Sequence, residues 1–524
     1  MQALSPASPL SSLSPITPHT NPRLSKSRIM SGLQCHKRLW LETYRRELMA
    51  YGEASQAAFA QGNVFGELAR ELIAHVHGEA GHLLENVENP AQALSDTLAA
   101  MPQHALLFEP AFRFEGVFVR LDALIRIDRG DDEPCYTMVE VKASASVKPQ
   151  YVRDVAIQTW VLRGCGLHVN RIELGHVDTS FVYQGDSYNG LLKRVDITAQ
   201  VEEQLPLVDA WVSTLRQMLR SADTPDIATG RHCTTPYPCP FVSHCQSHAA
   251  APNEPAPQHS VFMIPGIKGK AFARKLQAKG YEDLLAVPLD LMGEYAFVQA
   301  AHRDHTAWHD APVASTLLNA QPQPWGYLDF ETISPAVPLW AGTQPFAHWP
   351  FQWSVHMSQA DGSTVHSDFL DVSGGNPAVA CAEQLLGALS GARTVWAYNA
   401  AFERQVIMRL ARAVPSHSEA LTVLAGIVQD LIPIVQASYY HPVMQGSYSI
   451  KSVLPAIAPE LSYHDLQGVQ DGNAAQGAFF EAVSPDCTAE RKAQLNQQLR
   501  DYCKLDTWAM VVLVKRLLQA DAEL

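Results

Sequence analysis

A proline-rich stretch at 250–258 separates two blocks that each alternate strand-period and helix-period runs. This break constrains the fold more than any other feature. The chain has 524 residues, more than one hydrophobic core serves, so two or three domains are expected. Before the break, strands are expected at 107–114, 117–127 and 136–141, and helices at 55–77, 151–163 and 199–222. After it, 260–315 reads as a small helical segment. A second α/β unit begins at 321, with strands at 325–331, 351–357 and 394–398 and helices at 400–413 and 490–519. The chain shows no internal repeat. The expected organisation is a disordered lead-in at 1–27, a first domain at 28–249, a connector at 250–320 and a second domain at 321–524.

Hydrophobic residues make up 47% of the chain and charged residues 18%, a globular composition. No apolar run is long enough to span a bilayer, so no membrane partner is expected. The Ser-, Pro- and Leu-rich first 27 residues lack the basic start and apolar core of a secretory signal. The net charge of -14 runs against the usual basic balance of nucleic-acid binders, so any phosphate contact must come from local patches. The nine cysteines are odd in number. Cys135, Cys165, Cys381, Cys487 and Cys503 are scattered and read as buried thiols, which fits a reducing cytoplasm better than a disulfide framework.

Asp122 lies in the 117–127 run, and Glu140-Val141-Lys142 closes the next strand. Residues two apart on a strand share a face, so Glu140 and Lys142 project together. Two carboxylates can hold Mg²⁺ or Mn²⁺, and a lysine can orient water or stabilise developing charge. Charged residues also end many strands on plain surfaces. The pattern resembles the PD-(D/E)XK nucleases. Gln158, on the helix after Lys142, resembles the glutamine of the Gln-x-x-Tyr motif in RecB-like nucleases, which implies a supporting or DNA-contacting role. Thr159-Trp160 departs from the spacing to tyrosine.

Cys233, Cys239 and Cys245 recur in a Pro-broken loop that can curl so that thiolates converge on a metal cluster. Cys35 is the best fourth ligand. Zinc is the rival, with His36, His232 and His244 close by in sequence. One N-terminal cysteine and three C-terminal ones around an ExK core resemble the iron–sulfur RecB-like nucleases, which implies a 4Fe-4S cluster stapling the two ends of the domain. That family often has a metal-ligating histidine on an early helix; the matching stretch here carries Glu67 instead.

The connector stretch 264–270, followed by Arg274, Lys275 and Lys279, resembles a helix-hairpin-helix. It is a local basic patch on an acidic chain; a solvated helical connector is the other reading.

In the second block, Asp329 and Glu331 share one strand face. Glu403 falls in the first turn of a helix after Asn399. Tyr502 and Asp506, four apart on a helix, share a face. A helix cap at Glu403 and a surface Tyr/Asp pair are the plainer alternative. In this order the motifs resemble the DEDD exonucleases with an RNase H-like fold, with Glu403 in place of the usual aspartate. The resemblance implies four acids on two metal ions and a tyrosine that orients water. The 446–451 stretch, Gly-Ser-Tyr-Ser-Ile-Lys, resembles one in the bacterial domain-of-unknown-function 2779 family, which pairs such a domain with a RecB-like one. Together these resemblances imply an α/β metal-dependent nuclease acting on DNA or RNA in processing, repair or defence. The alternative is a nucleic-acid-binding protein in which one or both folds are catalytically degenerate.

Overall fold

The computed structural model describes residues 22–85, 88–129, 132–247 and 258–519. Residues 1–21 of the expected lead-in, and the 250–258 stretch up to 257, lie outside the described residues. The chain is mixed α/β and divides into two units: Met1–Phe181 with Ser187–Ala250, and Val182–Asp186 with Ala251–Leu524. Among the described residues no helix is long and apolar enough to cross a membrane.

The strands of the first unit are β1 (Leu24–Ser25), β2 (His82–Leu83), β3 (Leu106–Phe108), β4 (Ala111–Phe114), β5 (Val117–Arg120), β6 (Ala123–Arg129), β7 (Asp132–Lys142), β8 (His168–Val177) and β9 (Leu192–Asp196). They form a three-stranded sheet, β1-β5-β4, and a six-stranded sheet, β2-β3-β6-β7-β8-β9. β7 and β8 run parallel, so a crossover is required; the helix Pro149–Gly164 supplies it. Its residues Val155, Ile157, Val161 and Leu162 are fully buried in the core between the β7–β8 face and the helix Thr198–Leu219.

Two expected strands break. The 117–127 run divides at Leu121-Asp122 because β5 and β6 belong to different sheets, and a strand edge can ladder with only one of them at a time. The 107–114 run divides at Glu109-Pro110, where Glu109 takes a left-handed φ of 58° and proline offers no N–H to a ladder.

The lead-in also ends earlier than expected. Leu24, 2% exposed, pairs in parallel with Val117. Ser25 caps the helix Lys26–Gln34 by accepting from the Arg28 N–H at 3.4 Å, as N-cap serines do. That helix lies close against Thr198–Leu219: a Cβ added at Gly32 would meet the Leu215 side chain at 2.5 Å. Only glycine admits this approach.

The second unit contains β10 (Trp308–His309), β11 (Trp325–Ile333), β12 (Trp349–Ser358), β13 (Thr364–Leu370), β14 (Thr394–Ala397), β15 (Val428–Asp430) and β16 (Tyr439–Tyr440). Its main sheet is ordered β13-β12-β11-β14-β15. β12 is antiparallel to β11 and β13, whereas β14 and β15 continue in parallel. β11 is central and covered on both faces, which explains its near-continuous apolar sequence; Asp329 is its one residue that is not fully buried. The helix Ala489–Leu518 packs on β11 and β12. The expected connector is not a separate body: Val261, Ile264, Leu276 and Leu318 share one hydrophobic core with Trp325, Leu328 and Leu513.

Candidate active sites

In the first unit the sheet brings Glu140 and Lys142 to one face of β7. Lys142 Nζ lies 2.5 Å from Glu140 Oε1 and 2.8 Å from Asp154 Oδ2. Gln158 donates its amide to Glu140 Oε2 at 2.9 Å and to Asp154 Oδ1 at 3.2 Å. Asp122, at the crossing between the two sheets, accepts the Val141 N–H at 2.6 Å. The four residues singled out in the sequence thus meet at one place. Two more join them. Lys26 Nζ lies 2.8 Å from Glu140 Oε1 and 3.4 Å from Asp154 Oδ1. Lys26 was hidden within the expected lead-in. Asp154 stands one helical turn before Gln158, and that spacing was the signal available for it. Glu67 is exposed, which offers no support for its taking the histidine's place.

The electrostatics of this centre are uneven. Burial pushes Glu140 up, but the ammoniums of Lys142 and Lys26 outweigh it and hold the carboxyl at about 2. Burial and then the Glu140 charge push Asp122 up to about 7. Lys142 is held well above its usual range: burial opposes its charge, and Asp154 and Glu140 overcome that opposition.

In the second unit, Asp329, Glu331 and Asp506 each offer a carboxylate oxygen within 4.8 Å of the others. The ion pairs found among the described residues of the second unit join other residues, and Lys451 acts on Glu331 and Asp506 through its charge. The pairing of β11 with β12 shifts register immediately after Glu331, and such bulges re-aim side chains. Asp506 arrives from the helix Ala489–Leu518, one turn after Tyr502. Tyr463 donates to Asp506 Oδ1 at 2.5 Å, and Tyr502, one turn before Asp506, helps hold this carboxyl down against burial. Lys451 Nζ sits 5.2 Å from the centroids of both tyrosine rings and donates to the Gln470 carbonyl at 2.6 Å.

Glu403 lies outside that group of three but is 3% exposed, and its Oε2 has no hydrogen-bond partner. Its charge raises both Asp329 and Glu331. The turn before it is built by Asn399, at a left-handed φ of 79°, a region asparagine tolerates. Asp430, at the end of β15, accepts from the Asn399, Ala400 and Ile432 N–H groups at 3.3, 3.1 and 2.9 Å. Asp430 carried no sequence motif.

Burial and then Asp506 push Asp329 and Glu331 far above the carboxylate range. Burial lifts Asp506 to about 6, against the Tyr463 hydroxyl and the Lys451 charge. Burial lifts Glu403 to about 8, with Asp430 adding to it. A buried carboxylate cluster without a counter-ion retains protons, and divalent cations are the usual relief for such a set.

Cys35, Cys233, Cys239 and Cys245 line one cavity with Lys37, Arg38 and His232. Gln34 fixes the loop to the helix Lys26–Gln34 by donating to the His232 and Tyr237 carbonyls, both at 2.7 Å. Burial raises Cys239 and Cys245, and the charges of Cys35 and Cys233 add to both. Of the five cysteines read as buried, Cys135, Cys381 and Cys503 are; Cys165 is exposed at the C-terminus of a helix and Cys487 is half-buried in a turn.

In the connector stretch, the helix Gly266–Ala278 begins at a left-handed Gly266. Gly269 packs so tightly on Ile264 that an added Cβ would sit 2.8 Å from its side chain and 3.2 Å from its backbone. Ile267 is 92% exposed.

Residues 326–449 match the family model described as a domain of unknown function (DUF2779). No curated protein matches the chain in sequence. A solved structure titled "Crystal structure of SSO0001" is 14% identical, covering 44% of this chain and 89% of its own, with a TM-score of 0.19.

Proposed function

We propose that the chain is a metal-dependent nuclease that hydrolyses phosphodiester bonds of DNA or RNA. In this reading a PD-(D/E)XK, RecB-like first domain precedes an RNase H-like DEDD exonuclease domain. The observation that carries it is the meeting of Asp329, Glu331 and Asp506 within 4.8 Å, with no salt-bridged lysine or arginine on them among the described residues. The mixed five-stranded sheet with β11 at its centre supports the second-domain fold, and the match over 326–449 supports the family reading.

The donor set fits Mg²⁺ or Mn²⁺: hard carboxylate oxygens, with an orphaned Oε2 on Glu403 as a fourth. Asp329, Glu331, Glu403 and Asp506 are the residues that would hold such ions. When bound, they supply Lewis acidity and an activated water. Tyr463 fixes the orientation of Asp506 by a hydrogen bond to its carboxylate. Tyr502 would orient an attacking water, and Lys451, whose charge acts on Glu331 and Asp506, would receive a phosphate oxygen. In the first unit, Asp122 and Glu140 would hold a cation, with Lys142 and Gln158 orienting Glu140.

Four thiols on one cavity fit a 4Fe-4S cluster. Cys35, Cys233, Cys239 and Cys245 would hold it, and its contribution would be to folding.

The test is hydrolysis of end-labelled single- and double-stranded DNA and RNA, with Mn²⁺ and with chelator. Mononucleotides released from a 3′ end only with Mn²⁺ are expected. Their absence from every substrate, while the chain still binds nucleic acid, would establish the degenerate, binding-only alternative.

A further inference from the structure

The two acidic centres differ in counter-charge. The second-unit acids have no salt-bridged lysine or arginine among the described residues. In the first unit, Glu140 Oε1 takes both the Lys26 and Lys142 ammoniums, and Asp154 takes both again through its two oxygens. The Gln158 amide occupies the remaining Glu140 oxygen and shares Asp154 Oδ1. Three carboxylates, with Asp122 counted, therefore face two fixed ammoniums, and Glu109, a further acid within reach of Glu140 and Lys26, is offset by its own pair with Arg70 at 3.6 Å. Such a set lacks the negative charge to hold two divalent cations, because each further cation must approach two like charges at hydrogen-bond range.

Lys26 is not held there by chance. Its neighbours Leu24 and Ser25 are paired with β5, and Ser25 caps the helix that Lys26 begins. Its ammonium reaches Glu140 across 114 residues of sequence. Its side chain is 22% exposed and that of Glu140 1%, so the pair is poorly screened. Lys142 already supplies the lysine of the ExK pattern, so Lys26 is a second cation beyond it.

We propose that Lys26 is a built-in counter-cation standing in for a second divalent ion, so that the first-unit centre binds a single divalent cation beside Asp122 and Glu140. This rests on the reading of that centre as a metal site, and it makes Lys26 a positioning residue whose charge sets metal stoichiometry. Removing the ammonium should open the position it fills on Glu140 and Asp154.

The experiment uses the full chain carrying Asp329→Asn and Asp506→Asn, so that binding at the second-unit acids is suppressed. Mn²⁺ is titrated and followed by electron paramagnetic resonance and calorimetry. One ion per chain is expected. In the same background, Lys26→Met should bind a second ion, or bind the first about tenfold more tightly. Lys26→Gln, which keeps a donor toward Glu140 without the charge, should do the same if the methionine variant fails to fold, and Lys26→Arg should keep one ion at the parent affinity. One ion at unchanged affinity in Lys26→Gln overturns the proposal alone, leaving Lys26 a structural ion pair. Two ions in the parent also overturn it. No Mn²⁺ bound by the parent or the Lys26 variants overturns both the proposal and the reading of the first-unit centre as a metal site.

Discussion

At the scale of single residues, the proposed function divides the work at the second-unit acids between Tyr502 and Asp329. Tyr502 stands one helical turn before Asp506, and the Tyr463 hydroxyl already holds that carboxylate at 2.5 Å. Tyr502→Phe should therefore slow hydrolysis about 10²-fold or more and leave Mn²⁺ affinity nearly unchanged. Asp329→Ala should abolish both. Single-turnover hydrolysis and Mn²⁺ titration on the same preparations separate the two outcomes. The raised carboxyls also make a pH prediction. Asp506 at about 6 and Glu403 at about 8 lie above their unfolded values near about 4. The folded state then holds more protons than the unfolded one, so metal-free stability should fall as pH rises from about 4 to about 8. Glu140, held at about 2, acts with the opposite sign: its contribution is full above the unfolded value and is lost only as pH falls through that lower range. Melting of the chelated chain across this window checks the slope, and added Mn²⁺ should flatten it. The acids themselves were legible because motif spacing reports a shared face. Lys26, Tyr463 and Asp430 were not, because each reaches its partner through tertiary contact that no local period records.

At the scale of elements, the strands and helices that carry strong periodicity stand where the sequence puts them. β11 and the helices Ala400–Ala413 and Ala489–Leu518 agree within two residues of expectation. The failures came where one apolar run serves two sheets, as at Asp122, and where polar segments fold through long-range pairing, as at β1. Periodicity reports which face is apolar but not which neighbour covers it. β13, β15 and the helix Gly472–Val483 went unread for the same reason. Asp430 shows what a short edge element contributes: three N–H groups at two turns depend on its carboxylate. Asp430→Ala should destabilise the second unit by about 1–2 kcal/mol and loosen the first turn that aims Glu403. Hydrogen exchange should show lost protection at Asn399, Ala400 and Ile432, with little change in Ala489–Leu518.

At the scale of the whole molecule, the connector stretch folds into the second unit's core, so the natural division of the chain is two units. The two ends of the first unit are joined through Gln34 on the His232 and Tyr237 carbonyls and through the four cysteines around one cavity. If the proposed cluster is held there, Cys239→Ser should lower the melting temperature of the first unit by several degrees or more, because cluster binding contributes to folding, and leave second-unit melting in place. Metal analysis of anaerobically purified chain should find iron, and the cysteine variant should lose it; zinc without iron would replace the cluster assignment with a zinc site.

The same closure has a consequence for how the protein is made. The chain leaves the ribosome from its N-terminus, so Cys35 emerges long before Cys233, Cys239 and Cys245, and Lys26 long before Glu140 and Asp154. The lysine-bridged acid centre cannot close before residue 154 has emerged, nor the cysteine cavity before residue 245. A product interrupted before residue 233 therefore contains Asp122, Glu140 and Lys142 but lacks the loop that joins the ends of their unit. Emergence of residue 245 becomes a checkpoint for the first unit, and fragments that end before residue 233 should reach the cell's proteases with the ends of that unit unjoined.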